Sequence, residues 1–200
     1  MQAVSSRIVT VPNVLSAVRL ALIPVFLWLL ATAQYGWALI VIVVSSLTDF
    51  VDGFIARRFN QITRLGQVLD PAVDRLFIFS TLIGLAWQHF LPWWLVILIV
   101  LRDIGIVALG PVLASHGYGP LPVHHLGKVA TFALLFALPT LVLGAAFPAI
   151  AAYSDPAGWA LALWGTFLYW WAGAIYLRET VRLVREDRVA RAAGSDTLGN

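Results

Sequence analysis

Four aspartates stand close together in a chain that is otherwise mostly apolar, and their spacing calls for helices. Asp49, Asp52, Gly53, Ala56 and Arg57 fall at offsets of three, four, seven and eight, so on a helix they share one face. Gly66, Asp70 and Asp74 fall at offsets of four and eight and share a face as well. A short loop between two such helices brings the faces together, making a cluster of four acids, one arginine and two glycines. Carboxylates crowded in this way repel one another unless protons or cations neutralise them. Oxygen-only ligands suit a hard cation, Mg²⁺ above all, with Mn²⁺ or Ca²⁺ as alternatives. The glycines let a bulky polyanion approach the helix backbone. The plainer alternative is a set of acids paired with arginines to hold helices together, but ionisable groups at membrane depth usually mark function.

The surroundings of this cluster are apolar. Hydrophobic residues make up 60% of the 200 residues, against nearer half in a soluble globular domain. The absence of cysteine excludes disulfides, zinc–thiolate sites and thiol nucleophiles. A formal charge of +3 is too small to argue for nucleic acid, and no nucleic-acid partner is expected. Successive apolar runs predict six transmembrane helices, at about 16–32, 35–58, 66–88, 92–114, 125–147 and 156–177. Residues 1–12, with Arg7, predict a short N-terminal interfacial segment. Beyond residue 177, Arg178, Arg182, Arg185, Arg188 and Arg191 form a stripe on one side of an amphipathic helix. The expected architecture is therefore an all-α integral membrane protein, a single domain over 1–193 with a disordered tail at 194–200. Loops 33–36, 88–92 and 148–156 carry no lysine or arginine, whereas the opposite side receives Arg7, Arg57, Arg58, Arg64 and the arginine stripe. The positive-inside rule then puts both termini, and the acidic motif, at the cytoplasmic face.

A phosphate-bearing ligand at that boundary follows from the charges. Two divalent ions held by four carboxylates can clamp a pyrophosphate and stabilise the charge that develops as one bond breaks. Asp74 is the acid nearest to being spare and can take the proton from an attacking hydroxyl. Asp70, just before Pro71, also fits a helix N-cap. Arg102 and Lys128 lie on helices expected to face one cavity. They can bind an acceptor phosphate, for which arginine offers a bidentate grip, or Arg102 can pair with Asp103 or a motif acid. The tryptophans of the sixth span read as interfacial anchors and packing residues.

The pattern D-x2-D-G-x2-A-R-x8-G-x3-D-x3-D, matched at all eight fixed positions, resembles the signature of the CDP-alcohol phosphotransferase family. The likeness extends over nearly all of residues 10–180. It implies CDP-diacylglycerol as donor, attack by an alcohol on the β-phosphorus and release of CMP. It implies Asp49, Asp52 and Asp70 as principal metal ligands, with Asp74 as the base that also touches the second of two ions. Gly53, Arg57 and Thr63 correspond to nucleotide-contacting positions, and Gly66 to the glycine against which the nucleotide lies. The resemblance further implies a homodimer in a bacterial cytoplasmic membrane, with the active site facing the cytoplasm.

The stretches Val11–Arg19, Leu126–Phe132 and Trp164–Gly173 resemble the branch in which phosphatidylglycerol is the acceptor and cardiolipin the product. The branch that uses glycerol 3-phosphate shares the first two stretches and is the alternative. An ion or solute transporter is a more distant alternative. Against it, the acids gather at helix ends instead of tracing a path across the spans.

Overall fold

The computed structural model describes the backbone of residues 11–58, 64–119 and 125–198, with side chains within 13–48, 69–119 apart from Pro71, and 125–187. Over these residues the chain is all-helical. The helices are α1 Val11–Ala31, α2 Tyr35–Arg58, α3 Arg64–Trp87, α4 Trp93–Ser115, α5 His125–Ala146 and α6 Ala151–Leu198, with a 3-10 turn at Pro148–Ile150. Four stretches among the described residues are long and apolar enough to cross a membrane: Asn13–Ala31, Trp93–Ser115, His125–Ala146 and Pro148–Asp187. Within the described residues α2 carries the apolar stretch Tyr35–Thr48, and the motif acids Asp49 and Asp52 follow it in sequence. The first half of α3 is polar, carrying Arg64, Asp70, Asp74 and Arg75.

Three boundaries differ from the sequence-based expectation. Helix α1 is already formed at Val11 and takes in Pro12, ahead of the expected start near Ser16. Asp70 is the seventh residue of α3 and so is no N-cap. Helix α6 passes through Pro156, which gives up one bond to the carbonyl of Ala152. It then continues through the arginine stripe to Leu198, taking in most of the segment expected to be a disordered tail. Ala190, Ala192 and Ala193 are strong helix formers, and no breaker precedes Gly194. At about 1.5 Å per residue, this helix of 48 residues is about 72 Å long, more than twice a bilayer core of about 30 Å.

The chain forms two compact units, Met1–Val96 with Ala137–Trp159, and Ile97–Phe136 with Ala160–Asn200. In the first, α1 packs on α2 and α3. Phe26 meets Phe77 with ring centroids 6.1 Å apart, and Phe26, Leu30, Leu82 and Leu85 are buried. Toward the other end of α1, a Cβ at Gly84 would lie 2.9 Å from Leu30 Cδ1, so the glycine is what permits the close approach. Gln88 Nε2 then donates to the carbonyl of Leu30 at 2.8 Å. In the same unit Gly158 of α6 faces α5, where its Cβ would come within 2.8 Å of Leu141 Cγ. In the second unit Gly165 of α6 lies against Leu134 of α5, with a Cβ distance of 3.0 Å to Cγ. Small residues where helix backbones approach closely are the usual packing device of membrane helices.

Candidate functional site

Helix α1 buries a polar stripe. Asn13, Ser16 and Arg19 fall at offsets of three and six, and all are buried, while Val14, Val18 and Val25 are exposed. Facing the stripe, Asp70 and Asp74 stand one turn apart on α3. Ser16 Oγ donates to Asp70 Oδ1, and Arg19 Nη1 donates to Asp74 Oδ1 in an ion pair. The Arg19 side chain is 2% exposed and that of Asp74 34%. A guanidinium that deep costs several kcal/mol unless an anion and further acceptors meet it, so Asp74 accounts for Arg19 being tolerated in an apolar helix. Oδ2 of Asp70 and of Asp74 carries no hydrogen bond among the described residues.

The remaining motif positions are less fully described. Asp49, Asp52, Gly53 and Arg57 fall on the last turns of α2 and Gly66 on the first turn of α3, with side chains outside the described residues. Thr63 lies wholly outside them. The part of the acid cluster that the structure describes is thus the α3 half, with two side chains of α1 bonded to it.

Arg102 sits in a different cluster, in the second unit. Its Nη1 is 3.1 Å from Asp103 Oδ1, its Nε donates to the carbonyl of Tyr169 at 3.2 Å, and its guanidinium carbon lies 3.7 Å over the Tyr169 ring. The Tyr169 hydroxyl donates to the same Asp103 oxygen. The stem of Arg102 runs along Gly173, where a Cβ would stand 3.5 Å from its Cγ. Beside it, α4 and α6 frame an apolar groove of about 240 Å³ lined by Arg102, Leu109, Trp170 and Leu177 among others. Lys128, exposed near the start of α5, is not part of this lining. The structure therefore does not gather Arg102 and Lys128 into that groove, and it gives Arg102 the Asp103 partner that the sequence offered as its alternative.

Three residues of these clusters were not singled out as site residues from the sequence: Ser16, Arg19 and Tyr169. The signal for the first two was present, because polar residues spaced by three along an apolar span must find partners on a neighbouring helix. Nothing local marks Tyr169, which is 66 residues from Asp103.

Comparison with known proteins covers the same residues. The model of the CDP-alcohol phosphatidyltransferase family matches residues 9–175. The chain is 46% identical over 192 residues to a cardiolipin synthase (CMP-forming) of Streptomyces coelicolor, covering 93% of this chain and 89% of that protein. It is 33% identical over 148 residues to a CDP-diacylglycerol–glycerol-3-phosphate 3-phosphatidyltransferase of Bacillus subtilis, covering 66% and 76%. A protein of the same description from Sodalis glossinidius is 35% identical over 140 residues, again covering 66% and 76%.

Proposed function

The chain belongs to the CDP-alcohol phosphatidyltransferase family, and from that premise we propose that it transfers a phosphatidyl group from CDP-diacylglycerol to phosphatidylglycerol, yielding cardiolipin and CMP. The observation that carries this choice of acceptor is the 46% identity, spanning 93% of the chain, to a CMP-forming cardiolipin synthase. Glycerol 3-phosphate is the second reading, supported by the 33% identity to the Bacillus subtilis glycerol-3-phosphate phosphatidyltransferase. In this reading the protein is a homodimer in a bacterial cytoplasmic membrane. The polar ends of α2 and α3 complete two further spans, making six, with both termini and the acids at the cytoplasmic face. The supporting feature is the distribution of arginines, which are absent from the loops at 33–36, 88–92 and 148–156.

The described donor atoms fit a hard divalent cation. They are carboxylate oxygens only, one helical turn apart, half-buried, each with Oδ2 not engaged by α1. Asp49, Asp52, Asp70 and Asp74 would together hold two Mg²⁺ or Mn²⁺ ions. When bound, such ions supply Lewis-acid stabilisation of phosphoryl oxygens. The protein's own groups do the rest. Asp74 accepts the proton of the acceptor hydroxyl as its oxygen bonds to the β-phosphorus, and the bond from that phosphorus to the bridging oxygen of CMP breaks. Gly53, Arg57, Thr63 and Gly66 hold the nucleotide. Arg102, through Nη2, which has no bond among the described residues, and Lys128 hold the acceptor phosphate. The test is CMP release by the purified protein from labelled CDP-diacylglycerol. Turnover that requires both an alcohol acceptor and divalent metal supports the assignment, and CMP release indifferent to chelation removes it.

A further inference from the structure

Two side chains of α1 that belong to no part of the acidic motif are bonded to two of its acids, and the register of the bonds explains why. Ser16 meets Asp70 and Arg19 meets Asp74, pairs separated by 54 and 55 residues. Farther along, Leu30 meets Gly84 and, through its carbonyl, Gln88, the latter pair separated by 58 residues. Contacts that advance together along both chains mean that α1 and α3 run side by side in the same direction. A step of three on α1 and of four on α3 is one turn of each helix. The apolar end of the pair is fixed by the close approach at Gly84 and by the Gln88 bond. At the acid end, among the described residues, the links run between polar side chains and carboxylates.

A carboxylate on a half-exposed helix face has several rotamers open to it. Asp74 is one-third exposed, whereas Arg19 is almost wholly buried and Ser16 fully so. The α1 groups are therefore the anchored partners, and the acids are the groups held. We propose that Ser16 and Arg19 are positioning residues for the transfer reaction. Each fixes one carboxylate of α3 by Oδ1, so that Oδ2 is presented in a single orientation to the reacting groups. Arg19 adds a permanent positive charge within the acid cluster, which lowers the mutual repulsion that would drive the carboxylates apart before any cation binds. This rests on the reading of Asp70 and Asp74 as reaction groups.

The test uses the full-length protein in lipid nanodiscs, with kcat and donor KM from CMP release and melting temperature measured on the same samples. Arg19→Gln keeps a polar side chain but loses the charge. It is expected to lower kcat by about 10- to 150-fold, the range for a lost charge-assisted bond, while donor KM stays within about threefold of wild type. Ser16→Ala is expected to lower kcat by about tenfold, and Ser16→Thr, which keeps the hydroxyl, to restore most of it. Arg19→Lys, with charge but no planar fork, is expected to fall between. Gln88→Ala is the control for helix packing, since it loosens the distal end of the same pair. It is expected to lower the melting temperature with kcat per folded molecule unchanged. Ordinary kcat in folded Arg19→Gln, or an equal loss of kcat per folded molecule in Gln88→Ala, overturns the proposal. Retained turnover in Asp70→Asn and Asp74→Asn is a different outcome and removes the function reading itself.

Discussion

The guanidinium carbon of Arg102 lies 3.7 Å above the ring of Tyr169, and Tyr169 in turn donates its hydroxyl to Asp103, the ion-pair partner of that same arginine. Each of the three residues holds the other two, and the cluster ties α4 to α6. Removing Asp103 leaves the guanidinium in apolar surroundings with one carboxylate fewer, so Asp103→Ala is expected to destabilise by roughly 3–5 kcal/mol. Replacing both charges by apolar groups, Arg102→Met with Asp103→Leu, is expected to recover most of that loss. Thermal unfolding of the single and double variants checks it. A single Asp103→Ala as stable as wild type would mean that the pair contributes little.

Tyr169→Phe separates the two duties proposed for Arg102. The substitution keeps the ring under the guanidinium and the backbone carbonyl, and deletes the hydroxyl that bonds Asp103. It is expected to cost about 1.5–3 kcal/mol of stability and to leave acceptor KM alone. Arg102→Ala is expected to lower stability and, in addition, to raise acceptor KM more than donor KM. Equal rises in both KM values would limit Arg102 to holding α4 on α6.

The packing of α6 on α5 gives a prediction independent of the chemistry. At Gly158 a methyl group would stand 2.8 Å from Leu141 Cγ and 3.1 Å from its backbone nitrogen. Relief would require the helix backbone to move as well as the leucine side chain. Gly158→Ala is expected to destabilise by about 1–3 kcal/mol through overpacking. At Gly105 a Cβ meets nothing within 4 Å, so Gly105→Ala is expected to be tolerated, and a melting curve of the two variants side by side decides the point.

Helix positions were legible in the sequence because apolar runs and polar loops mark them plainly. Tyr35–Arg58 and His125–Ala146 fall within one residue of the expected bounds. The start of the sixth span was less legible. Pro156, where that span was expected to begin, lies inside α6 and costs it one backbone bond. Membrane crossing was less legible for α3, whose first half carries Arg64, Asp70, Asp74 and Arg75. Asp70 and Asp74 were legible from their i, i+4 spacing, and the structure places them on one face opposite α1. Their bonds to Ser16 and Arg19 were not legible, because a partner 54 or 55 residues away is set by which helices pack together. Arg102 had two readings in the sequence, and Tyr169, a distant residue, shows why the ion pair with Asp103 holds.

Metal dependence follows from the proposed ligand set. Chelation is expected to abolish CMP release and added Mg²⁺ to restore it. Asp70→Asn and Asp74→Asn each remove a charged oxygen from a site that needs hard anionic ligands, and turnover is expected to vanish in both. Asp49→Asn and Asp52→Asn are expected to weaken metal affinity, so that excess Mg²⁺ recovers part of their activity. Titration of CMP release against Mg²⁺ in the four variants is the measurement. Wild-type metal dependence in all four would argue against carboxylate ligation.

The acceptor is decided by product chemistry. With phosphatidylglycerol and CDP-diacylglycerol as the sole lipids and no glycerol 3-phosphate, the protein is expected to release CMP and form a four-chain lipid identified by its mass. Supplying glycerol 3-phosphate in place of phosphatidylglycerol is expected to give no CMP above background. Lys128, exposed near the start of α5 and outside the Arg102 cluster, then provides the residue-level test. A charge-assisted bond to the acceptor phosphate is worth roughly 1.5–3 kcal/mol, so Lys128→Ala is expected to raise acceptor KM by about 10- to 150-fold. Donor KM should move far less, because the residues proposed to hold the nucleotide are those at the ends of α2 and α3. Lys128→Arg keeps the charge and should recover part of the affinity. CMP release supported by glycerol 3-phosphate alone would assign the chain to the second acceptor, and the Lys128 variants would then be read against that substrate.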